Sequence, residues 1–272
     1  ANTHSDLLFF IFFGTVYSKK VYTLPEGSRT SKGRNIANLI QIPSSEKVQE
    51  ILCVPEEEQQ EGKYLLFATQ NGIVKKTELK EYQRIKQSGL RAIKIQDGDT
   101  LCNVRVTNGQ SDVLLCSSSG KIIRFNEDEC RSMGRVSQGV KGITLDDNER
   151  IIGMEIIDDT VEIFSITENG YGKRTSASQY RKQSRGGKGI LAMRLTEKNG
   201  EIVAIKPVTE KDELMIITNK GQVIRTKVAG ISLMGRATQG VRVIKLKGDE
   251  KVVSIEKIAE DEEDNGPESQ ET

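Results

Sequence analysis

A short pattern recurs five times along this chain of 272 residues and constrains its fold more than any other feature. Each copy has an apolar segment, a turn that ends in glycine, and a second segment with basic residues. Glycine readily adopts the positive φ that tight hairpin turns demand, so each copy predicts a β-hairpin. The copies are DLLFFIFFGTVYSKK (6–20), YLLFATQNGIVKK (64–76), DVLLCSSSGKIIRF (112–125), VEIFSITENGYGKR (161–174) and ELMIITNKGQVIRTK (213–227), with turn glycines Gly14, Gly72, Gly120, Gly170 and Gly221.

A second pattern, a basic loop that contains glycine, follows each hairpin. Each loop leads into a third apolar segment. An acidic turn, such as Asp97-Gly98-Asp99 in the second repeat, then precedes a fourth apolar segment, such as 151–157 in the third repeat. The loops are RTSKGR (29–34), KQSGLR (86–91), MGRVSQGVKG (133–142), QSRGGKG (183–189) and MGRATQGVR (234–242). The third segments are predicted as strands at 36–42, 92–95, 143–145, 190–195 and 241–246.

The two patterns together make a repeat of four strands. The hairpin glycines lie 48 to 58 residues apart, and one blade of a β-propeller takes about 50 residues. The chain is therefore predicted to be all-β, a single domain over residues 1–259 followed by a tail, 260–272. Its five blades are expected at about 4–57, 62–107, 111–158, 160–209 and 211–259.

The charges are distributed unevenly along the chain. Residues 260–272 carry seven acidic side chains and no Lys or Arg, so residues 1–259 hold 40 basic and 32 acidic side chains, a net of +8. A basic body suggests a polyanionic partner. The tail has few apolar residues, and it is predicted to be disordered and to compete with that partner for the basic surface.

Basic residues recur at the same two places in the repeats, the second strand and the loop after it. Arranged around a ring, these places would join into a belt that suits the phosphates of duplex DNA, without reading its sequence. A curved belt would also bend the duplex. The predicted DNA-binding residues of the belt are Arg29, Lys32, Arg34, Lys75, Lys76, Arg91, Lys121, Arg124, Arg135, Lys141, Lys173, Arg174, Arg225, Lys227, Arg236 and Arg242.

No catalytic centre is predicted, because nucleotide-binding loops, hydrolase elbows, and kinase and deaminase motifs are absent from the sequence. The four cysteines form no C-x-x-C pair and the one histidine is His4, so neither a metal site nor a cofactor is expected. Reduced thiols in a cytoplasmic protein are the simplest interpretation.

Two other propeller classes are possible. One is a protein-binding propeller of the WD40 or kelch kind, although the chain has no Trp, and the other is a propeller enzyme with ligands at its axis.

The segment QSRGGKG at 183–189 resembles the Q-R-R-G-G-K-G box of the C-terminal domain of DNA gyrase A proteins, with Ser184 in place of an Arg. NGYGKRTSASQY (169–180), SMGRVSQGVKGI (132–143) and LMGRATQGVRVI (233–244) also resemble blades of that domain. In the family-derived interpretation, the box residues that contact DNA or close a blade are Gln183, Ser184, Arg185, Gly186, Gly187, Lys188 and Gly189.

The resemblance implies a β-pinwheel, a propeller-like disc whose neighbouring blades exchange strands. It also implies a non-catalytic domain that wraps double-stranded DNA around its rim. The domain would work with the gyrase A catalytic region and gyrase B in an A2B2 assembly of the bacterial cytoplasm, associated with the nucleoid, and so enable ATP-dependent negative supercoiling. The C-terminal domain of topoisomerase IV is the related alternative.

Two features of the start of the chain depart from the family pattern. Its opening, ANTHSDLLFF, resembles the second of the six blades that the family usually has, so the first blade and its box are expected to be absent from this stretch. The chain begins at Ala1 rather than Met, as a piece of a longer protein would. Ile11-Phe12-Phe13 stands where the sister hairpins have polar turn residues, which suggests an apolar covering.

Overall fold

The computed structural model describes residues 2–27, 35–40, 42, 46–55 and 61–258. Regular structure in these ranges consists of nineteen β-strands and short 3₁₀ helices. The strands form five small sheets, four of them with four strands and the fifth with three. The predicted all-β, five-bladed architecture is confirmed. None of the helices in the described ranges is long and apolar enough to cross a membrane.

Each sheet is built on one hairpin of the repeated pattern and on the fourth strand of the same repeat. The first three sheets contain β1 (Asp6–Ile11), β2 (Thr15–Lys20) and β3 (Val48–Val54); β4 (Tyr64–Thr69), β5 (Ile73–Glu78) and β7 (Leu101–Thr107); and β8 (Asp112–Ser117), β9 (Lys121–Asn126) and β11 (Ile151–Ile157). The last two contain β12 (Glu162–Thr167), β13 (Tyr171–Ser176) and β15 (Ile202–Val208); and β16 (Glu213–Thr218), β17 (Val223–Lys227) and β19 (Val252–Ile258).

A short strand from the next repeat completes each of the first four sheets. These strands are β6 (Leu90–Arg91), β10 (Val140–Lys141), β14 (Ile190–Leu191) and β18 (Val241–Arg242), and they pair with β2, β5, β9 and β13 in turn. Neighbouring blades therefore exchange strands, as the resemblance implies. In the described part of the chain β17 has no such partner, which is why the fifth sheet has three strands.

The third strands are shorter than predicted, and two of them lie just before the expected segment. At 36–42 the structure has a 3₁₀ helix, Ile36–Asn38, rather than a strand. For the other four segments the physical reason is the same. After β6, for example, the amides of Ala92 and Ile93 both turn to the carbonyl of Gly14, and their side chains enter the core between blades. Only the two residues of each short strand therefore pair with the neighbouring sheet. The apolar residues that suggested a longer strand pack in the core instead.

The hairpin glycines are required by this close approach of the next repeat. Gly14 has a φ of +83°, and a Cβ on it would lie 2.6 Å from the carbonyl oxygen of Ile93. At Gly221, where no repeat follows onto the fifth sheet, a Cβ would meet nothing within 4 Å. The hairpin glycine therefore provides the turn conformation in all five repeats. In four of them it also leaves room for the next repeat to pack closely.

The hydrophobic core lies between successive blades. Phe10 of β1 and Phe67 of β4 pack edge to face, with ring centroids 5.7 Å apart. Within the apolar triple of the first turn, Ile11 is fully buried in this chain, whereas Phe13 is exposed. Because each pair of successive sheets buries apolar side chains between its facing surfaces, a chain without Trp still gains an extensive core.

The inner strands β3, β7, β11, β15 and β19 pack against one another in series and line a central channel. In the first four sheets, the inner strand and the short exchanged strand stand at opposite ends of the sheet. The short strands therefore lie at the outer edge of the disc.

Candidate nucleic-acid interface

The basic residues of the second strands lie inside the disc, and this corrects part of the predicted belt. Their side chains are at most 6% exposed, because both faces of β5, β9 and β13 are covered by neighbouring blades. Buried side chains cannot reach a duplex, so the prediction of DNA contact is withdrawn for five residues. They are Lys75, Lys76, Arg124, Lys173 and Arg174.

Two of these lysines hold the basic loop of the next repeat. The Lys75 amine donates to the carbonyl of Arg135 in that loop at 2.5 Å, and to the carbonyl of Ala92 in its own repeat at 2.6 Å. Lys173 donates likewise to Gly235 and Arg236, at 2.7 and 2.5 Å. Burial lowers the pKa of Lys75 to about 7 and that of Lys173 to about 8. Either amine can satisfy these carbonyls without its charge.

The free energy of unfolding is expected to rise as pH increases from 7 towards 10. Lys75 loses its proton near pH 7 in the folded chain but only near pH ~10.4 in the unfolded chain, so the unfolded state binds more protons across this window. Chemical denaturation should show a gain of about 1–2 kcal/mol between pH 7 and pH 9. Lys75→Met should reduce that gain, and an undiminished gain in the variant would contradict the assignment.

The other three buried cations, which we call the interblade clamp (Lys76, Arg124, Arg174), hold the 3₁₀ helix of the next repeat. Arg124 pairs with Asp112 at 2.5 Å and donates to the carbonyl of Ala177 at 3.2 Å. Arg174 pairs with Glu162 and donates to the Ile231 carbonyl, both at 2.7 Å. The 3₁₀ helices concerned are Glu127–Glu129 for Lys76, Ala177–Gln179 for Arg124 and Val228–Gly230 for Arg174.

Three further predicted residues of the second strands are nearer to solvent. Lys121 is engaged by Asp146 at 2.5 Å and Glu149 at 3.1 Å, which leaves it little freedom to bind phosphate. Arg225 occupies the clamp position of the fifth sheet, where no repeat follows, and its side chain is 68% exposed beside Glu213. Lys227 is exposed on the same strand.

The predicted residues of the short strands do lie on the outer edge. Arg91 of β6, Lys141 of β10 and Arg242 of β18 are all exposed and occupy the same position of their repeats. The fourth equivalent is Leu191. Arg242 also donates to the Tyr171 hydroxyl at 3.0 Å. These three cations therefore stay in the predicted interface.

A second set of cations, which was not predicted from the sequence, lies three residues after the first. Lys94, Arg194 and Lys245 are exposed at equivalent positions, and Thr144 is the fourth member. The backbone amides of Lys94, Thr144 and Arg194 each bond to the next repeat's loop, at Ser137, Gly187 and Thr238. Because their amides make the same backbone bond, Lys94, Thr144 and Arg194 occupy equivalent positions in their repeats. An alignment of the five repeats beyond the loop glycine would have found the set. We call the combined group the outer cation row: Arg91, Lys94, Lys141, Arg194, Arg242 and Lys245.

The box-like segment 183–189 connects two blades. The Gly186 amide donates to the carbonyl of Gly142, and the Thr144 hydroxyl donates to the carbonyl of Gly186 at 2.7 Å. Gly189 has a φ of +73°, and a Cβ there would lie 2.7 Å from the Ile122 carbonyl oxygen. Gly187 also accepts from Thr144 through its carbonyl, and Ser184 is exposed. The Gln183 side-chain nitrogen is buried with no hydrogen-bond partner in the described residues.

The two cations of this segment are placed differently. The Arg185 guanidinium donates to the carbonyls of Glu129 and Lys141, at 3.0 and 3.1 Å. Arg236, its equivalent in the next repeat, donates to the Leu191 carbonyl at 2.8 Å, while Arg135 lies 3.4 Å from Glu81. The Lys188 side chain is 74% exposed and lies 4.0 Å from Asp146. Arg185 therefore stabilises the connection between blades, whereas the exposed Lys188 side chain can bind a ligand.

Arg185→Ala is expected to lower the free energy of unfolding by about 1–2 kcal/mol, because it leaves two carbonyls of the preceding repeat without their donor. Lys188→Ala should change stability by less than about 0.5 kcal/mol and weaken DNA binding instead. Denaturant titration and DNA affinity of both variants provide the measurements. A destabilised Lys188 variant with unchanged DNA binding would reverse the two assignments.

Some predicted residues lie outside the part of the chain that the structure describes. They are Arg29, Lys32 and Arg34 of the first basic loop, and the whole acidic tail, 260–272. Within the described ranges, no group of three or more His, Cys, Asp or Glu side chains is placed to hold a metal ion.

Comparison with known proteins agrees with this arrangement. A family model described as DNA gyrase C-terminal domain, beta-propeller, matches residues 13–55, 63–108, 111–158, 162–209 and 212–259. The chain belongs to this family. This member of the gyrase C-terminal domain family is 42% identical over 264 residues to the DNA gyrase A protein of Salmonella typhimurium, a match that covers 97% of this chain and 30% of that protein. The DNA gyrase A protein of Staphylococcus aureus strain NCTC 8325 is also 42% identical, over 273 residues that cover 100% of this chain and 31% of that protein.

Two solved structures are similar to this member of the family over 95% of its length. The C-terminal domain of DNA topoisomerase IV superposes with a TM-score of 0.86 at 28% identity, and 80% of that chain is covered. A DNA gyrase A C-terminal domain superposes with a TM-score of 0.82 at 25% identity, with 84% covered. The predicted pinwheel and the gyrase A resemblance are confirmed. The chain spans about 30% of the length of the gyrase A relatives.

Proposed function

We propose that this domain binds double-stranded DNA along the outer cation row and bends the duplex around the edge of the disc. The observation that carries the proposal is the repetition of exposed cations at two equivalent positions, one on the outermost strands and one three residues after it. Duplex DNA carries a negative charge every ~1.7 Å along its axis, so a curved row of cations matches a bent backbone. Contacts of this kind position a duplex without reading its bases.

In the whole protein, this binding would serve DNA gyrase. The domain would hold a DNA segment for the gyrase A catalytic region and gyrase B in an A2B2 assembly, which introduces negative supercoils at the expense of ATP in the bacterial cytoplasm, at the nucleoid. The domain itself would contribute no catalytic residue and no cofactor. The support for this wider role is the family membership and the name shared by the relatives.

The salt dependence of DNA binding tests the proposal. With about six phosphates neutralised, the logarithm of the association constant should fall against the logarithm of salt concentration with a slope near −5. Affinity for a short duplex should also be the same for unrelated sequences. A slope near zero, or a strong preference for one sequence, would contradict binding through the row.

A further inference from the structure

The outer cation row is interrupted at two neighbouring places near its middle. Leu191 stands at the first of the two repeated positions beside the third sheet, and Thr144 stands at the second position beside the second sheet. Lysine or arginine occupies both positions beside the first and fourth sheets. A duplex that follows the row would therefore miss two successive phosphate contacts, unless other cations lie close to these places.

Lys121 supplies a cation directly opposite Leu191. The two residues are partners across the pairing of β9 and β14, so their side chains project from the same face of the sheet. The equivalent partners in the fourth sheet are Tyr171 and Arg242, where the guanidinium donates to the tyrosine hydroxyl at 3.0 Å. In the third sheet the cation therefore lies on the hairpin strand instead of the short strand, and the outer edge keeps one cation at this place.

Lys188 lies beside the other interruption. The loop that carries it accepts two hydrogen bonds from Thr144, through the carbonyls of Gly186 and Gly187, and Lys188 is the next residue. Lys188 immediately precedes a glycine with a positive φ, and three other loops have such a glycine at the same place. The residues before those glycines are all uncharged: Ser88, Gln138 and Gln239. Among these four loops, a cation occurs only where the row lacks one.

Both lysines face the same carboxylate, that of Asp146. One of its oxygens, Oδ2, lies 2.5 Å from the Lys121 amine, and the other, Oδ1, lies 4.0 Å from the Lys188 amine. The hydrogen bond from Lys121, with the positive charges of Lys121 and Lys188, holds the pKa of Asp146 below its usual range. The carboxylate therefore bridges two amines as a DNA phosphate would, and its side chain is 55% exposed, where a duplex can reach it.

An acid at the position of Asp146 is not needed for the turn that carries it. The Glu149 side chain closes this turn by accepting a hydrogen bond from the Asp146 amide at 3.0 Å. In the second repeat Gln96 occupies the equivalent position, and its amide group donates to Gln138, the counterpart of Lys188, at 3.4 Å. The corresponding residues of the fourth and fifth repeats are Thr196 and Lys247, whose backbone amides also bond to a side chain three residues later. Among these four repeats, the acid is therefore specific to the third, where the two lysines meet.

We propose that Lys121 and Lys188 form a binding site for a DNA phosphate at the middle of the outer cation row, and that Asp146 restrains this site as a built-in competitor. The inference deepens the proposed function and rests on it. In the free protein the carboxylate occupies the phosphate position, and a duplex that follows the row displaces it. Because displacement breaks both ion pairs of Asp146, the acid weakens DNA binding at this blade without preventing it. The ligand is a backbone phosphate, since the row continues on both sides of the site, at Lys141 and Arg194.

The DNA affinity of the full-length protein and of two single variants tests the restraint. Asp146→Asn keeps the size of the side chain and removes its charge, so binding to a duplex should tighten about tenfold at low salt, because no ion pair has to be broken. Asp147→Asn is the matched control, since Asp147 is the next residue, is exposed and forms no ion pair within the described ranges. This variant loses the same charge and should tighten binding by about twofold at most. Equal gains in the two variants would overturn the proposal.

The gain in affinity must also depend on the two lysines. In a protein that carries Lys121→Ala and Lys188→Ala, the further change Asp146→Asn should tighten binding no more than Asp147→Asn does. An undiminished gain would contradict the site. If none of these proteins showed DNA binding that weakens with salt, the proposed function would fail together with this inference, whereas equal gains on top of salt-dependent binding would overturn this inference alone.

Acetylation of lysines, read by mass spectrometry, locates the contact in the full-length protein. In the Asp146→Asn variant, a duplex should slow the acetylation of Lys121 and Lys188 together, while the exposed Lys211 should react as it does without DNA. Inorganic phosphate at the same ionic strength should protect neither lysine. Protection by inorganic phosphate equal to that by the duplex would make this a site for free anions, and an unprotected pair in the presence of the duplex would show that the row passes it by. Either result would overturn the proposal.

Discussion

Arg124→Ala is expected to lower the free energy of unfolding by about 3 kcal/mol, because the buried Asp112 carboxylate loses its guanidinium and keeps only Lys182 and Asn126 as partners. Asp112 is 7% exposed and accepts two hydrogen bonds from this guanidinium. Arg124 also holds the carbonyls of Ala177 and Tyr180, so its loss releases the 3₁₀ helix of the following repeat. Denaturant titration of purified wild type and variant provides the measurement.

Arg225→Ala is the matched control for that substitution. Arg225 has the same position in its sheet and an acidic neighbour, Glu213, but it is exposed and clamps no following repeat in the described part of the chain. An exposed pair of this kind contributes between about 0 and 1 kcal/mol. Equal losses of stability in the two variants would mean that interblade clamping is not the role of the buried arginine.

Replacing four members of the outer cation row by alanine should weaken DNA binding by about a hundredfold or more at low salt, because four phosphate contacts are lost. The variant combines Arg91→Ala, Lys94→Ala, Arg242→Ala and Lys245→Ala. These side chains are exposed, so the fold should stay intact and the melting temperature close to that of the wild type. A lower DNA affinity at an unchanged melting temperature would show that these side chains contribute to DNA binding and not to stability.

The hairpins and the repeat length could be predicted from the sequence because turn glycines and apolar strands are local signals. The inner channel and the strand exchange depend on which repeat packs on which, and periodicity alone does not specify that. Lys75-Lys76 in β5 illustrates the limit. Adjacent lysines usually mark a solvated strand, but both faces of this strand are covered. The Lys75 and Lys76 amines therefore bond carbonyls of the next repeat, those of Arg135 and Glu127.

The box-like segment shows a second limit. Its glycines and cations predicted a phosphate-binding loop, and the same glycines equally suit a close connection between blades. The structure separates the two cations, since Arg185 bonds backbone carbonyls and Lys188 faces solvent. Conversely, Lys94, Arg194 and Lys245 carried no motif. Equivalent backbone bonds relate Lys94 and Arg194, and Lys245 shares their position three residues after the short strand's last residue.

Parallel salt titrations of three proteins test the central claim most directly. They are the wild type, the fourfold row variant, and a control in which four exposed lysines near the inner and first strands (Lys47, Lys211, Lys220 and Lys257) become alanine. Both variants lose four positive charges. We expect slopes near −5 for the wild type and the control, and near −2 for the row variant. Equal slopes for the two variants would show that net charge, rather than the outer cation row, governs DNA binding.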